Sequence, residues 1–333
     1  MTAAAELRPL SPAAPPRPAP LAEAPLAPQP PPATLTFLEA RRMAVARKRE
    51  PLAAGMARGK VRHGAYRLAY RVFGEGRPIV LVQGLGLPGA FWEPLVPGLV
   101  AQGYRVILPD NRGTGFSDYL PAPFSMAELG DELATVIDAT CPDEAPLVVG
   151  LSMGGMIVQH LALRHPRKLR GLVLTGTSCG LPHSVLPAPK ELAGLVGLFT
   201  NPTGPSFDQL MTLMAHRDAH RNMVDVFKAW QVAMVEAPTP PTTVVSQLWA
   251  ATTHSTGRRL RKIRTPTYVL SGADDRVIPA RNARILADRI PGASLEVVER
   301  AGHVVPFERP ELFHRALQRL EARIHSTRHL RIV

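Results

Sequence analysis

Five short apolar runs limit this chain to few folds: residues 79–82 (IVLV), 106–108 (VIL), 147–149 (LVV), 172–174 (LVL) and 268–270 (YVL). A strand with one wet face alternates apolar and polar residues. A run that is apolar at every position suits a strand covered on both faces, as in a mainly parallel sheet. Helix-like segments at 89–102, 125–139, 153–165, 280–290 and 306–325 lie between and after these runs. Upstream, Tyr66, Leu68, Tyr70 and Val72 alternate as in a half-buried strand. Strands alternating with helices predict an α/β fold with right-handed crossovers. Residues 180–257 break the rhythm with helical stretches and no convincing strand. Met223, Phe227, Trp230 and Met234 fall on one apolar helix face there. This segment reads as a helical lid inserted over the C-terminal edge of the sheet.

The ends of the chain differ from its middle. Residues 1–33 hold eleven Pro and ten Ala, a composition that resists helix and sheet. Residues 34–50 could form a short basic helix of weak amphipathicity. The whole of 1–59 is expected to be a disordered arm, with a solvated surface favoured over docking on a membrane or an anionic partner. The expected organisation continues with a core at 60–179 and 258–325, the lid at 180–257, and a basic tail at 326–333. The 333 residues carry a formal charge of +12. Half of that excess lies before residue 63, and no nucleic-acid motif accompanies it, so a nucleic-acid partner is not expected. Cys141 and Cys179 lack metal or redox spacing; two free thiols are the default, with a disulfide left open. No apolar run approaches a membrane span, and no signal peptide is evident. The cytoplasm is the default location, and the oligomeric state stays open.

The chemistry begins at Gly150-Leu151-Ser152-Met153-Gly154-Gly155. This stretch directly follows the 147–149 strand and precedes a helical pattern. That is the strand–turn–helix context in which a G-x-S-x-G serine acts as a nucleophile. The sharp turn lifts Oγ clear of the sheet, and small neighbours let strand and helix approach closely. The helix N-terminus also directs free N–H groups toward developing negative charge.

From about residue 60 to residue 325 the chain resembles the α/β-hydrolase superfamily. Leu81-Val82-Gln83-Gly84-Leu85-Gly86 resembles the oxyanion loop, with Gln83 where the family often carries His. Asp110-Asn111-Arg112-Gly113-Thr114-Gly115-Phe116-Ser117-Asp118 resembles the family's D-x-R-G-x-G-x-S turn, read as an internally braced loop. The resemblance implies a triad of Ser152, His303 as base and Asp275 as acid, with backbone N–H groups of Leu85 and Met153 forming the oxyanion hole. Asp275 is selected within Ser271-Gly272-Ala273-Asp274-Asp275-Arg276-Val277-Ile278-Pro279 by the family's G-x-x-D pattern, with Asp274 as runner-up. His303 stands in Arg300-Ala301-Gly302-His303, followed by Val304-Val305-Pro306-Phe307-Glu308-Arg309-Pro310-Glu311, which resembles the family's G-H-x-x-x-x-E-x-P-E.

The expected activity is hydrolysis of a carboxylic ester or lactone of apolar character through an acyl-enzyme. No cofactor or metal is implied, because no His, Cys or carboxylate cluster has ligand spacing and no dinucleotide loop is credible. Alternatives on the same fold are C–C bond hydrolysis, cofactor-free haloperoxidase (perhydrolase) chemistry and acyl transfer. A non-catalytic ligand-binding protein would show loss of a triad member, and none is missing. Four methionines in the lid, Met211, Met214, Met223 and Met234, suit an apolar pocket or simple packing.

Overall fold

A computed structural model describes residues 35, 37–49, 56–119, 123–191, 193 and 207–329. Its centre is an eight-stranded sheet in the order β1-β2-β4-β3-β5-β6-β7-β8. The strands are β1 (Met56–His63), β2 (Tyr66–Phe73), β3 (Arg77–Val82), β4 (Tyr104–Pro109), β5 (Leu147–Leu151), β6 (Gly171–Thr175), β7 (Thr267–Gly272) and β8 (Ser294–Val298). The first two pairings, β1 with β2 and β2 with β4, are antiparallel, and every later one is parallel.

The apolar runs are double-faced for the reason their composition implied. Ile79, Leu81, Val106, Leu108, Leu147, Val149, Tyr268 and Leu270 enter one buried cluster. Their neighbours Val80, Val82, Ile107, Val148 and Val269 enter the other, on the opposite face. Period-two alternation sends each strand into two cores at once. The second core is covered by α3 (Met126–Thr140), α4 (Met153–Arg164) and α8 (Arg281–Arg289). Ser125 and Glu128 close a capping box at the start of α3, satisfying two end donors reciprocally. The first core is covered by α2 (Val96–Ala101), α9 (Val305–Glu308) and α10 (Pro310–His329).

Between β6 and β7 lie α5 (Phe207–Met214), α6 (Val224–Glu236) and α7 (Pro241–Thr252). Met223, Phe227 and Trp230 are buried in the first core, whereas Met234 is only half-buried. Trp230 stacks on Phe91 at 4.0 Å between ring centroids and donates its indole N–H to the Phe91 carbonyl. Met211 joins the same cluster and Met214 packs against it, so at least these methionines of the inserted segment serve packing. Residues 192 and 194–206 of the expected lid lie outside the described residues.

Three expected boundaries change. Residues 37–49, within the expected disordered arm, form α1 (Phe37–Arg49), the short basic helix offered for 34–50. Its Ala40 and Ala44 are buried, and α6 contributes Gln231, which exchanges two hydrogen bonds with the Leu35 backbone. The sheet begins at Met56 rather than residue 60, because β1 pairs along its whole length with β2. The expected tail from residue 326 is helical to His329, since α10 continues that far. Residues 1–34 lie outside the described residues, as do 50–55 and 330–333.

Cys141 and Cys179 are buried free thiols. Among the described residues no helix is long and apolar enough to cross a membrane.

Candidate active site

The site is built at the C-terminal ends of the parallel strands, where doubly wound sheets place their crevices. β5 ends at Leu151, α4 begins at Met153, and Ser152 alone makes the turn. Its φ of 57° and ψ of −121° lie in a region that side-chain-bearing residues rarely adopt. Such strain persists only where the surroundings enforce it. Here the enforcing contacts are visible. A Cβ on Gly154 would stand 2.2 Å from the Val82 carbonyl oxygen, and one on Gly150 would stand 2.6 Å from the Gly154 carbonyl oxygen. The serine N–H donates to Thr175 O at 3.0 Å, and the Thr177 hydroxyl donates to Ser152 O at 2.7 Å. Ser152 remains half-exposed between buried Leu151 and Met153.

Asp275 follows β7. Its Oδ1 accepts the backbone N–H groups of Val277 and Ile278 at 2.9 and 2.8 Å. Its Oδ2 lies 2.9 Å from His303 Nδ1, and both side chains are essentially closed to solvent. A carboxylate can only accept, so the ring hydrogen of a neutral His303 sits on Nδ1 and the Nε2 lone pair is left available. Asp274 takes no part in this pair. Its side chain is half-exposed and comes no nearer than 4.0 Å to His216.

The His303 loop is braced from several directions. Its N–H donates to Met214 O at 2.8 Å. Glu308 accepts the Gly302 N–H at 2.9 Å and the His216 N–H at 2.8 Å. Burial pushes the Glu308 carboxyl above its usual range, against those N–H donors, which pull it down. A Cβ on Gly176, just past β6, would lie 3.0 Å from His303 Nδ1. The loop 175–177 therefore touches both the serine turn and the histidine ring.

After β3, a Cβ on Gly84 would lie 3.2 Å from Ser152 Cβ. Leu85 is the next residue of this loop, and Met153 opens α4. Gln83 is wholly buried, and neither of its amide atoms has a hydrogen-bond partner among the described residues. The next turn is braced internally as expected. Asp110 accepts the Phe116 N–H at 2.9 Å and the Ser117 hydroxyl donates to the Asp110 carbonyl at 2.7 Å, while Gly89 and buried Glu132 tie Asp110 and Arg112 to the surroundings. In the sequence Glu308 is one position of the G-H-x-x-x-x-E-x-P-E pattern with no role of its own, and Thr177 stands in no motif. Among the described residues no group of three or more His, Cys, Asp or Glu is arranged to hold a metal.

A family model for the alpha/beta hydrolase fold matches residues 77–310. A pimeloyl-[acyl-carrier protein] methyl ester esterase of Aeromonas hydrophila is 28% identical, over 72% of this chain and 94% of its own. A 2-hydroxy-6-oxononadienedioate/2-hydroxy-6-oxononatrienedioate hydrolase of Paraburkholderia xenovorans is 32% identical, over 76% of this chain and 89% of its own. The structure of a thermophilic esterase from Thermogutta terrifontis superposes with a TM-score of 0.67 at 25% identity, covering 81% of this chain and 99% of the esterase. With the match to the family model spanning more than half of its length, this chain belongs to the alpha/beta hydrolase fold family.

Proposed function

We propose that this hydrolase cleaves a carboxylic ester or lactone through an acyl-enzyme on Ser152. The observation that carries the reading is the buried His303–Asp275 pair in the loops after β7 and β8, on the side where Ser152 leaves β5. His303 Nε2 removes the Oγ proton as Oγ bonds to the carbonyl carbon. The backbone N–H groups of Leu85 and Met153 stabilise the oxyanion, with each donor worth about 3–4 kcal/mol. The tetrahedral adduct collapses as His303 returns the proton to the leaving alkoxide. Water, deprotonated by the same histidine, then releases the acid. Asp275 holds the imidazole tautomer and stabilises its cation. The inserted helices act as the lid that selects the acyl group.

C–C bond hydrolysis is the second reading, favoured by the likeness to the Paraburkholderia enzyme. A panel of p-nitrophenyl esters of increasing chain length, lactones and a vinylogous diketone separates the two. Turnover of esters by the wild type and none by Ser152→Ala supports the proposal, as does stoichiometric fluorophosphonate labelling of Ser152. Equal turnover by both proteins removes it.

A further inference from the structure

Gly86, one residue beyond Leu85, has both of its backbone polar groups held by side chains of the inserted segment. Its N–H donates to Gln247 Oε1 at 2.7 Å, and its carbonyl accepts the Thr239 hydroxyl at 2.8 Å. Gln247 projects from α7 and is completely buried. Val244 on the same helix comes within 3.6 Å of where a Gly86 Cβ would stand, and Thr243 within 2.6 Å of one at Gly113. The loop is thus gripped at two points. Gly84 abuts Ser152 on the sheet side, and Gly86 is tied to the insertion on the other.

The grip is specific in what it fixes. The Gly86 N–H belongs to the peptide plane joining Leu85 to Gly86, and the Gly86 carbonyl to the next plane. Fixing both leaves only the two torsions of Leu85 between the clamp and the plane that carries the Leu85 N–H. Gly86 itself has a φ of 69°, and a glycine there can adopt many other conformations unless restrained. A donor that must meet an oxyanion has to be in place beforehand, and an error of about 1 Å can cost about 100-fold in rate.

We infer that Gln247, assisted by Thr239, is a positioning residue that holds the Leu85 N–H in its oxyanion-binding geometry. The inserted segment thereby completes the catalytic apparatus as well as covering it. This inference rests on the proposed serine mechanism. Gln247 acts through Gly86 and touches no reacting atom.

The test compares Gln247→Leu, which keeps the bulk and removes the acceptor, with Gln247→Glu, which offers Gly86 an oxygen in either protonation state. The readouts are kcat and KM on a p-nitrophenyl ester, and affinity for an arylboronic acid, which forms a tetrahedral adduct on the serine. Gln247→Leu is expected to lower kcat by about 10- to 100-fold, with KM within about threefold, and to weaken the boronate in parallel. Gln247→Glu should recover most of the lost kcat. If Gln247→Leu fails to fold, Thr239→Val, at a half-buried position, tests the same clamp through the Gly86 carbonyl and should also lower kcat rather than raise KM. Unchanged kcat and boronate affinity in a folded variant, or a rise in KM alone, overturns the inference while the serine mechanism stands. A wild type that neither turns over esters nor is labelled at Ser152 removes the mechanism and the inference with it.

Discussion

Asp275 and His303 meet through one carboxylate oxygen, Oδ2, at 2.9 Å, while the other oxygen is fully engaged by the Val277 and Ile278 N–H groups. The carboxylate is therefore fixed in orientation as well as position. Asp275→Asn retains the shape but can turn an amide N–H toward Nδ1, which favours the wrong imidazole tautomer. We expect kcat on a p-nitrophenyl ester to fall by about 10³- to 10⁴-fold. Asp274→Asn, at a half-exposed carboxylate outside the pair, should stay within about threefold. The reverse ranking would make Asp274 the acid.

The serine turn predicts two different glycine outcomes. A Cβ on Gly154 meets the carbonyl oxygen of Val82, which ends a central strand and cannot yield. Gly154→Ala should destabilise the fold by about 3 kcal/mol or more, at the upper end of overpacking costs. A Cβ on Gly155 meets the Thr177 side chain at 2.4 Å, and a side chain can rotate. Gly155→Ala should therefore destabilise less, yet lower kcat, because Thr177 loses its bond to the Ser152 carbonyl. Urea unfolding and ester turnover on both variants check the pair; equal destabilisation would refute the distinction.

The parts of this molecule legible in its sequence are those with local signatures. The run IVLV announces a strand buried on both faces, and the helical pattern over 125–139 announces α3. Ser152 directly follows a recognisable strand, and Asp275 and His303 lie in the loops that follow two others. β1 is not legible as a strand because one face of MARGKVRH carries only Ala57, Gly59, Val61 and His63 and the other is mostly basic, and its pairing with β2 defines it. The docking of α1 was hidden for another reason: its buried contacts are the small side chains of Ala40 and Ala44, which carry little hydropathic signal. Thr177, Thr239 and Gln247 act across the tertiary fold on Ser152 and Gly86, and nothing near them in sequence marks that use.

A buried histidine pair gives the fold an acid-sensitive limb. His160 Nε2 lies 3.2 Å from His254 Nδ1. Burial, then Arg259 and Arg164, lowers His160 to about 4. Burial, then His160, lowers His254 to about 3. Both are neutral in the fold at pH 6, whereas the unfolded chain takes up protons as pH falls through about 6.5. Between those values the unfolded state binds more protons, so this contribution is complete above about pH 6.5 and is lost on acidification toward 4 and 3. Buried carboxyls such as Glu132 and Glu308 are raised and pull the opposite way, so the comparison must be with a variant. His160→Gln should flatten the fall in urea midpoint between pH 7 and pH 5 by removing one of the two protons. Parallel curves for wild type and variant would show that the pair is not buried neutral.

The packing of α1 against α6 changes what removal of the N-terminal region should do. Gln231 accepts the Leu35 N–H at 3.0 Å and donates to the Leu35 carbonyl at 3.1 Å, a two-way tie between the chain before α1 and the inserted helices. Ala40 and Ala44 are buried. Removal of residues 1–50 strips this cover from the helix that also carries Trp230, and thermal unfolding should begin earlier. For a domain of this size each kcal/mol lost lowers Tm by about 2–4 °C. Gln231→Ala, which deletes both hydrogen bonds and leaves the helix in place, should give a smaller drop in the same direction. The Ser152 turn and the His303–Asp275 pair make no hydrogen bond to α1 among the described residues, so kcat should hold within about threefold at temperatures well below the transition. An unchanged Tm after removal of residues 1–50 would mean that α1 does not dock on α6. A large loss of kcat at unchanged Tm would mean that α1 acts on the site through α6, where Trp230 stacks on Phe91.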